Sequence, residues 1–577
     1  MKQTLKKRGQ KIAKKWAVFS ERAKEDSKEH IQEKIIDRLS NARQVRLLML
    51  EWALLIIVIT SLALTQVFWY RESYSASAFV DGGGYIEGTV GNVNSLNPLF
   101  ATTSSEKTLS KLMFATLSTI DYSGHVGLGL AESIVPDETG KIWTVKLKKD
   151  LKWSDGEPIT IEDVAYTISV IKDPGANTIF DSNFTGVKIE RPDPETIIFN
   201  LPASYADFAS TLNIPILPSH ILGETTPSKL LEHSFSTNPI SSGAFTFNAT
   251  QNITNDGEKL IYLTANDNYY KGRPMLDSFA VHAYANTSDI VDALSVGSIT
   301  ATADLSVAEE SLATSGIVYE KQTSISNGIF AFLNTTSPLL SDLSLRQAIQ
   351  RGVNTTELRS EIGSGEALDY PILRSQIELG SYPAMPEHDP ASAKSAINEA
   401  GATGQTLRLA TTSTGHFPEL ANQLETQLEQ LGFVVELSIY NPGQEFIANV
   451  IRPRNYDILL YEIELGADPD LFAYYYSSQA SASGLNLSNY QNSAVDEAIL
   501  AARSTLSKPL RAAKYEAFLA HWVEDVPAIG IYQASLTYYL NKNARSFSED
   551  DNLVYAVDRF SDVEYWAVNH AMKNRTP

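Results

Sequence analysis

Nineteen consecutive residues, WALLIIVITSLALTQVFWY at 52–70, carry no charge, and that run limits what the chain can be more than any other. As a helix it covers about 28 Å, close to the ~30 Å hydrocarbon core of a bilayer. Trp52, Trp69 and Tyr70 stand at its ends, where amphipathic rings favour the membrane interface. Residues 1–46 hold 14 Lys+Arg against 6 Asp+Glu, a net of +8; with a total of −21, everything after them sums to −29. The positive-inside rule then keeps the arm cytoplasmic and exports the acidic bulk, giving a single-pass, membrane-tethered outer domain. Ala76-Ser77-Ala78 offers the competing reading of a leader cleaved after Ala78; the long arm and the spanning length favour retention. Within the arm, Ile12, Trp16, Phe19 and Ala23 recur at helical spacing beside Lys11, Lys14 and Lys15. Two readings stand: an amphipathic helix on anionic lipid, or a solvated arm that only sets topology.

Composition narrows the chemistry. No cysteine is present, which excludes disulfides, a thiol nucleophile and a lipid on an N-terminal cysteine. At 577 residues the chain exceeds one ordinary core, so two or three domains are expected. No G-x-S-x-G elbow, H-E-x-x-H pair or P-loop occurs. The nine histidines are scattered, and even His220 and His233 lack metal-ligand companions. No enzyme activity, cofactor or metal is expected. The acidic outer part is wrong for a phosphate backbone, which argues against nucleic acid and suits neutral or cationic solutes. Asp81-Gly82-Gly83-Gly84 follows no strand and lacks dinucleotide spacing, so residues 71–84 read as a linker.

Beyond residue 84 strands and helices mix. Residues 130–169, LAESIVPDETGKIWTVKLKKDLKWSDGEPITIEDVAYTIS, read as a strand, a turn and a capped helix. Trp143, Val145 and Leu147 alternate with polar residues; Ser154-Asp155-Gly156 turns; Thr160 opens a capping box, with Val164, Ala165, Ile168 and Ile171 as the apolar stripe. Arg191–Pro194 reads as a turn before a strand at 196–200. Helices are expected at 344–353, at 390–400 behind Asp389-Pro390, and at 418–431 before Gly432; strands at 433–437 and 456–461. Helix and strand alternating in this way point to α/β layers.

The 130–169 block resembles the signature of family 5 of the bacterial extracytoplasmic solute-binding proteins, the oligopeptide- and dipeptide-capturing subunits of ATP-binding-cassette importers. GNVNSLNPL at 91–99, NPISSGAFTF at 238–247, NDNYYKGRPMLDSF at 266–279, residues 333–353, ADPDLF at 467–472 and SNYQNSAVDEA at 488–498 resemble further motifs of that family, in the right order. The resemblance implies an α/β, two-lobed, periplasmic-binding-protein-like fold of three domains, carried behind an N-terminal transmembrane helix. The implied division is an arm at 1–46, a transmembrane helix at 47–70, a linker at 71–84, a first-lobe core from 85–125, 240–325 and 540–577, an inserted domain at 126–239 and a second lobe at 326–539.

The implied function is capture of a peptide between the lobes and delivery to the permease in a bacterial cell membrane. Aromatic groups that would grip varied ligands include Tyr269-Tyr270, Tyr474-Tyr475-Tyr476 and Trp522 with Tyr532. The resemblance places the second-lobe cleft wall at Tyr461–Asp470, and the candidate binding residues are Asn94, Tyr461, Glu462, Glu464, Asp468 and Tyr474. Peptide-binding members carry an aspartate three positions before the residue preceding the proline, paired with the peptide amine. Here that count, back from Asp468, lands on Leu465; Glu464 or Glu462 would substitute only with a shifted register. The departure keeps open the same fold binding an oligosaccharide or another uncharged solute. A ligand sensor signalling through the cytoplasmic arm is a further alternative.

Overall fold

The computed structural model describes residues 17, 20–21, 46–121, 124–180, 184–253, 257–305, 318–361, 365–548 and 552–574. The helical spacing of Ile12, Trp16, Phe19 and Ala23 falls outside them. Two compact units form, one of residues 1–78 with 570–577, the other of residues 79–569. In the first, a 29-residue helix runs Arg46–Tyr74, and its stretch Leu48–Trp69 has a mean hydropathy of 2.2 with no part buried. That stretch is about 33 Å long, enough to cross a bilayer. Of the linker expected at 71–84, Asp81–Gly83 lie outside helix and strand, while the helix continues to Tyr74 and Ser75–Val80 forms a strand partnered by Asn569–Asn574. Once nucleated, a helix adds residues cheaply and overruns its apolar run.

The second unit is built on an eleven-stranded sheet. Its order is Val434–Tyr440, Thr406–Thr412, Ile458–Glu464, Val318–Leu333, Ala528–Asn541, Ala301–Thr302, Gly84–Val90, Ser278–Tyr284, Lys259–Ala265 and Phe245–Asn252, with Glu366–Ala367 joined to Ala528–Asn541. The longest members, Val318–Leu333 and Ala528–Asn541, pair antiparallel and run from one lobe into the other. Their register shifts between Ser324 and Gly328 and again between Ile329 and Phe330. Such irregularities bend a strand pair locally, and here they fall where the two lobes part.

The second lobe packs both faces of its sheet. Ile329, Ala331 and Leu333 face a core with Leu420, Leu424 and Leu428, while the alternate residues Phe330 and Phe332 face another with Tyr475, Phe518 and Trp522. This is the period-2 geometry of a strand buried on both sides. Three expected helices appear at Leu343–Gly352, Pro390–Glu399 and Phe417–Leu431. Asp389 caps the second by accepting from Ser392 N–H at 2.9 Å, and Gly432 ends the third with φ 113°.

The first lobe adds a four-stranded antiparallel sheet ordered Ala131–Pro136, Ile142–Leu147, Thr196–Asn200 and Lys188–Asp193. The turn expected at 191–194 is shifted: Arg191, Pro192 and Asp193 finish the last of these strands. Proline is tolerated there because the strand lies on the sheet edge and Pro192 falls in the register irregularity between Glu190 and Asp193. The signature motifs meet in this lobe. Trp153 is wholly buried, Ser154 N–H donates to Ser241 O at 2.8 Å, and Ser241 N–H donates back to Ser154 Oγ at 3.0 Å. Asn266 Nδ2 donates to Gly243 O at 2.8 Å and Asn268 Nδ2 to Trp153 O at 3.2 Å. A Cβ on Gly243 would lie 2.6 Å from Leu112 O and Met113 C, so only glycine lets this turn touch the end of helix Ser104–Met113. Asp163, 2% exposed, accepts from Thr160 N–H at 2.8 Å and from Ser219 N–H and Oγ–H, each at 2.7 Å. These motifs are therefore a joint, and they hold the lobe together.

A second staple is charged. Glu87, wholly buried, accepts from Arg559 Nε at 3.0 Å and Tyr538 Oη at 2.8 Å, and Tyr538 Oη lies 2.6 Å from Tyr85 Oη. It joins the opening strand, a lobe-crossing strand and the C-terminal segment. A buried ion pair of this kind tolerates no loss of one partner.

Candidate functional site

Between the lobes lies a cavity of 620 Å³, within the ~300–1,000 Å³ common for small-ligand sites. The first lobe contributes Pro98, Lys107 and Lys111, together with Tyr205 and Asp207; the second contributes Glu464–Asp468, Asp470 and Tyr474; residues 555–558 close it. Pro98 stands there because Glu106 organises the preceding turn, accepting from Asn94 N–H at 2.8 Å and Thr102 N–H at 2.9 Å. Against the desolvation of its buried site, those backbone amides hold Glu106 below the usual carboxylate range.

Of the six residues expected to bind, Glu464, Asp468 and Tyr474 line this cavity, and so does Leu465. Tyr474 Oη donates to Glu464 O at 2.8 Å. Asp468 is ion-paired with Arg511, and burial pushes its carboxyl up against that partner's pull. The other three are not brought to the cavity. Asn94 lines a separate pocket of 260 Å³. Tyr461 packs on Phe446 inside the second lobe, ring centroids 5.9 Å apart. Glu462 points to the opposite sheet face and accepts from Asn327 Nδ2 at 2.6 Å; burial, reinforced by the Glu464 charge, raises its pKa. Strand alternation puts Glu462 and Glu464 on one face, and they differ because Ile458–Glu464 ends at Glu464, which reaches the cavity while Glu462 stays within the sheet. Tyr475 and Trp522 are core, both 0% exposed, and Tyr269 and Tyr270 pack edge-on in the first lobe, at 5.0 Å.

Sequence reading missed Asp207, Arg503 and Arg511. Asp207 comes from the first lobe and faces the second-lobe acids. Burial pushes its carboxyl well up, and Asp468 adds to that. Its one hydrogen-bonding side chain among the described residues is Ser210, and it makes no ion pair there. Lys111 is engaged with Asp558 at 2.8 Å, and Arg503 with Asp470 at 2.9 Å. The cavity therefore holds two carboxylates, Asp207 and Glu464, to which no cation of the described chain is fixed.

Arg503 also holds the lobes shut. Its guanidinium lies 4.7 Å over the Tyr205 ring and 4.4 Å over Phe472. Ala206 N–H donates to Arg503 O at 2.7 Å and Ser204 Oγ to Ser504 O at 3.1 Å. These contacts between the lobes form a latch at the cavity rim.

Residues 125–484 match the family described as bacterial extracellular solute-binding proteins, family 5, middle region. The oligopeptide-binding protein AppA of Bacillus subtilis is 26% identical over 79% of this chain and 87% of its own. The solved structure of that AppA, in complex with a nonapeptide, superposes with a TM-score of 0.70 at 23% identity, covering 85% of this chain and all of AppA. NikZ of Campylobacter jejuni, solved with Ni(L-His), gives a TM-score of 0.70 at 21% identity over 84% of this chain and 99% of its own.

Proposed function

The chain belongs to family 5 of the bacterial extracellular solute-binding proteins, and from that premise we propose that it captures peptides for an ATP-driven importer while tethered to the membrane. The observation that carries the reading is the cavity closed by both lobes with Asp207 and Glu464 left without a fixed cation. A peptide's free amine supplies the missing charge, and its carboxylate contacts replace the solvation it loses on burial. Glu464, one residue from Leu465, takes the part of the aspartate that the resemblance calls for, with Asp207 approaching from the other lobe. Closure is bending of the two lobe-crossing strands until the Arg503 latch engages.

The helix Arg46–Tyr74 is the anchor in this reading, with the basic arm cytoplasmic and residues 79–569 outside. Tethering keeps the loaded domain at a high local concentration near its permease. Native mass spectrometry of the full chain in detergent, followed by denaturation, tests the proposal. Heterogeneous co-purifying peptides are expected; a bound sugar, or failure to bind any added peptide, overturns it.

A further inference from the structure

Helix Ser493–Ser504 of the second lobe ends in carbonyls that its own turns cannot satisfy, and the first lobe meets the last two of them. Arg503 O accepts from Ala206 N–H, and Ser504 O accepts from Ser204 Oγ, which shares its proton with Thr139 O at 2.7 Å. Two residues on, Leu506 reaches out of its own lobe and packs against the first-lobe core. It rests on Gly140, where a Cβ would lie 3.3 Å from Leu506 Cδ2 and 2.7 Å from Ser204 Oγ. Gly140 also has φ 67°, so both its backbone and this close approach call for glycine. The turn that carries it is held firmly. Asp137 accepts from Lys141 N–H at 3.1 Å and Ile142 N–H at 3.0 Å, and buried Trp143 donates through Nε1 to Gly140 O at 3.2 Å. Gly140, Ser204, Ser504 and Leu506 lie outside the lining of the interlobe cavity.

We propose that this seat shuts the lobes without a ligand, so that the empty protein is mostly closed and the cavity becomes reachable only when Leu506 lifts off Gly140. Every contact in the seat joins protein to protein, so its strength is independent of what the cavity holds. Closure removes part of a leucine from water and gives two helix-end carbonyls their partners. The lobes are already joined by the continuous strands Val318–Leu333 and Ala528–Asn541. Shutting them therefore costs none of the translational freedom that separate partners lose. Like charges across the gap act the other way, since Asp207 faces Asp468 and Asp470. Those two acids are already paired within their own lobe, with Arg511 and Arg503, which leaves the opposition weak. Entry and release then wait on the same opening, whatever the ligand. Loosening the seat speeds both and leaves Kd nearly unchanged.

Double electron–electron resonance on the full chain in detergent tests this. The chain has no cysteine, so Lys188→Cys and Glu497→Cys, both at exposed positions, place one spin label on each lobe. The protein is first freed of bound ligand in denaturant below its unfolding transition, with native mass spectrometry as the check. The ligand-free protein is expected to show one dominant distance, that of the closed structure. Its ratio to the longer, open distance should fall about fivefold with Leu506→Ser and about twofold with Ser204→Ala. Leu510→Ser, on the next helix and 64% exposed, should leave the ratio unchanged. A ligand-free protein found only at the longer distance overturns the seat. So do Leu506→Ser and Ser204→Ala distributions identical to the parent's, or an equal shift with Leu510→Ser. The readout uses no ligand, so each of these results leaves the peptide reading standing.

Discussion

Glu87, wholly buried in the first-lobe core, and Asp207, partly exposed in the cavity wall, are carboxylates treated in opposite ways. Burial raises the pKa of each. At Glu87 the Arg559 guanidinium and the Tyr538 hydroxyl oppose the rise; at Asp207 the Asp468 charge adds to it. Glu87 has its counter-charge built in, and its job is to join three distant chain segments. Asp207 has a serine and another acid, and against them only the pull of Arg511, which is itself paired with Asp468. A buried charge with a fixed partner is framework, and a cavity charge without one is a candidate for a site.

The contrast breaks most visibly at Arg559. Arg559→Met leaves Glu87 buried and unpaired, and is expected to destabilise residues 79–569 by about 3–5 kcal/mol in thermal or denaturant unfolding. Equal stability would mean that Glu87 is not the staple described. Asp207→Asn is the converse case, harmless to the fold and harmful to the ligand. A peptide with a free amine should lose about 2 kcal/mol, roughly thirtyfold in Kd, whereas its N-acetylated form should not change.

The same substitution sharpens the comparison through pH. Because the folded pKa of Asp207 lies above its unfolded value, its contribution is fully present below the unfolded carboxylate range and is lost as pH rises through the raised value. Melting of the ligand-free wild type should therefore worsen relative to Asp207→Asn as pH rises through that interval. An unchanging difference between the two would remove the claim that Asp207 is strained. Tyr205→Ala takes the ring from under Arg503 and should speed ligand release about fivefold, the scale of one partly desolvated cation–π contact. The smallest effect belongs to Glu462→Gln. Gln keeps an oxygen for Asn327, so titration should show affinity unchanged within about twofold.

The framework was more legible in the sequence than the site. Thr160 with Asp163, Asp389-Pro390 and Gly432 announce helix ends through local hydrogen bonding, and a cap is readable from three or four neighbouring residues. The motifs around Trp153, Gly243 and Asn266 are recognisable as strings, and the structure shows why: each makes a backbone bond to another. The site is different in kind. Asp207, Glu464 and Arg503 are far apart in the chain, and only the folding of both lobes brings them to one cavity. Glu464 was reachable, being near Leu465 and at a strand end. Asp207 sits in PASYADFAS, where nothing local separates a cavity acid from a solvated one. Tyr475 and Trp522 misled for the matching reason, since an aromatic looks the same in a core as in a cleft.

The edge strand Lys188–Asp193 has a consequence for how copies of this protein meet. Its outer backbone is the natural template for another chain's strand, and its side chains are almost all solvent-facing. Yet it carries Lys188, Glu190, Arg191 and Asp193, with Pro192 among them. A strand approaching that edge finds a proline in the register irregularity and a line of charges of both signs, so pairing along this edge is disfavoured. That guard matters most where molecules are crowded onto a surface and collide side by side.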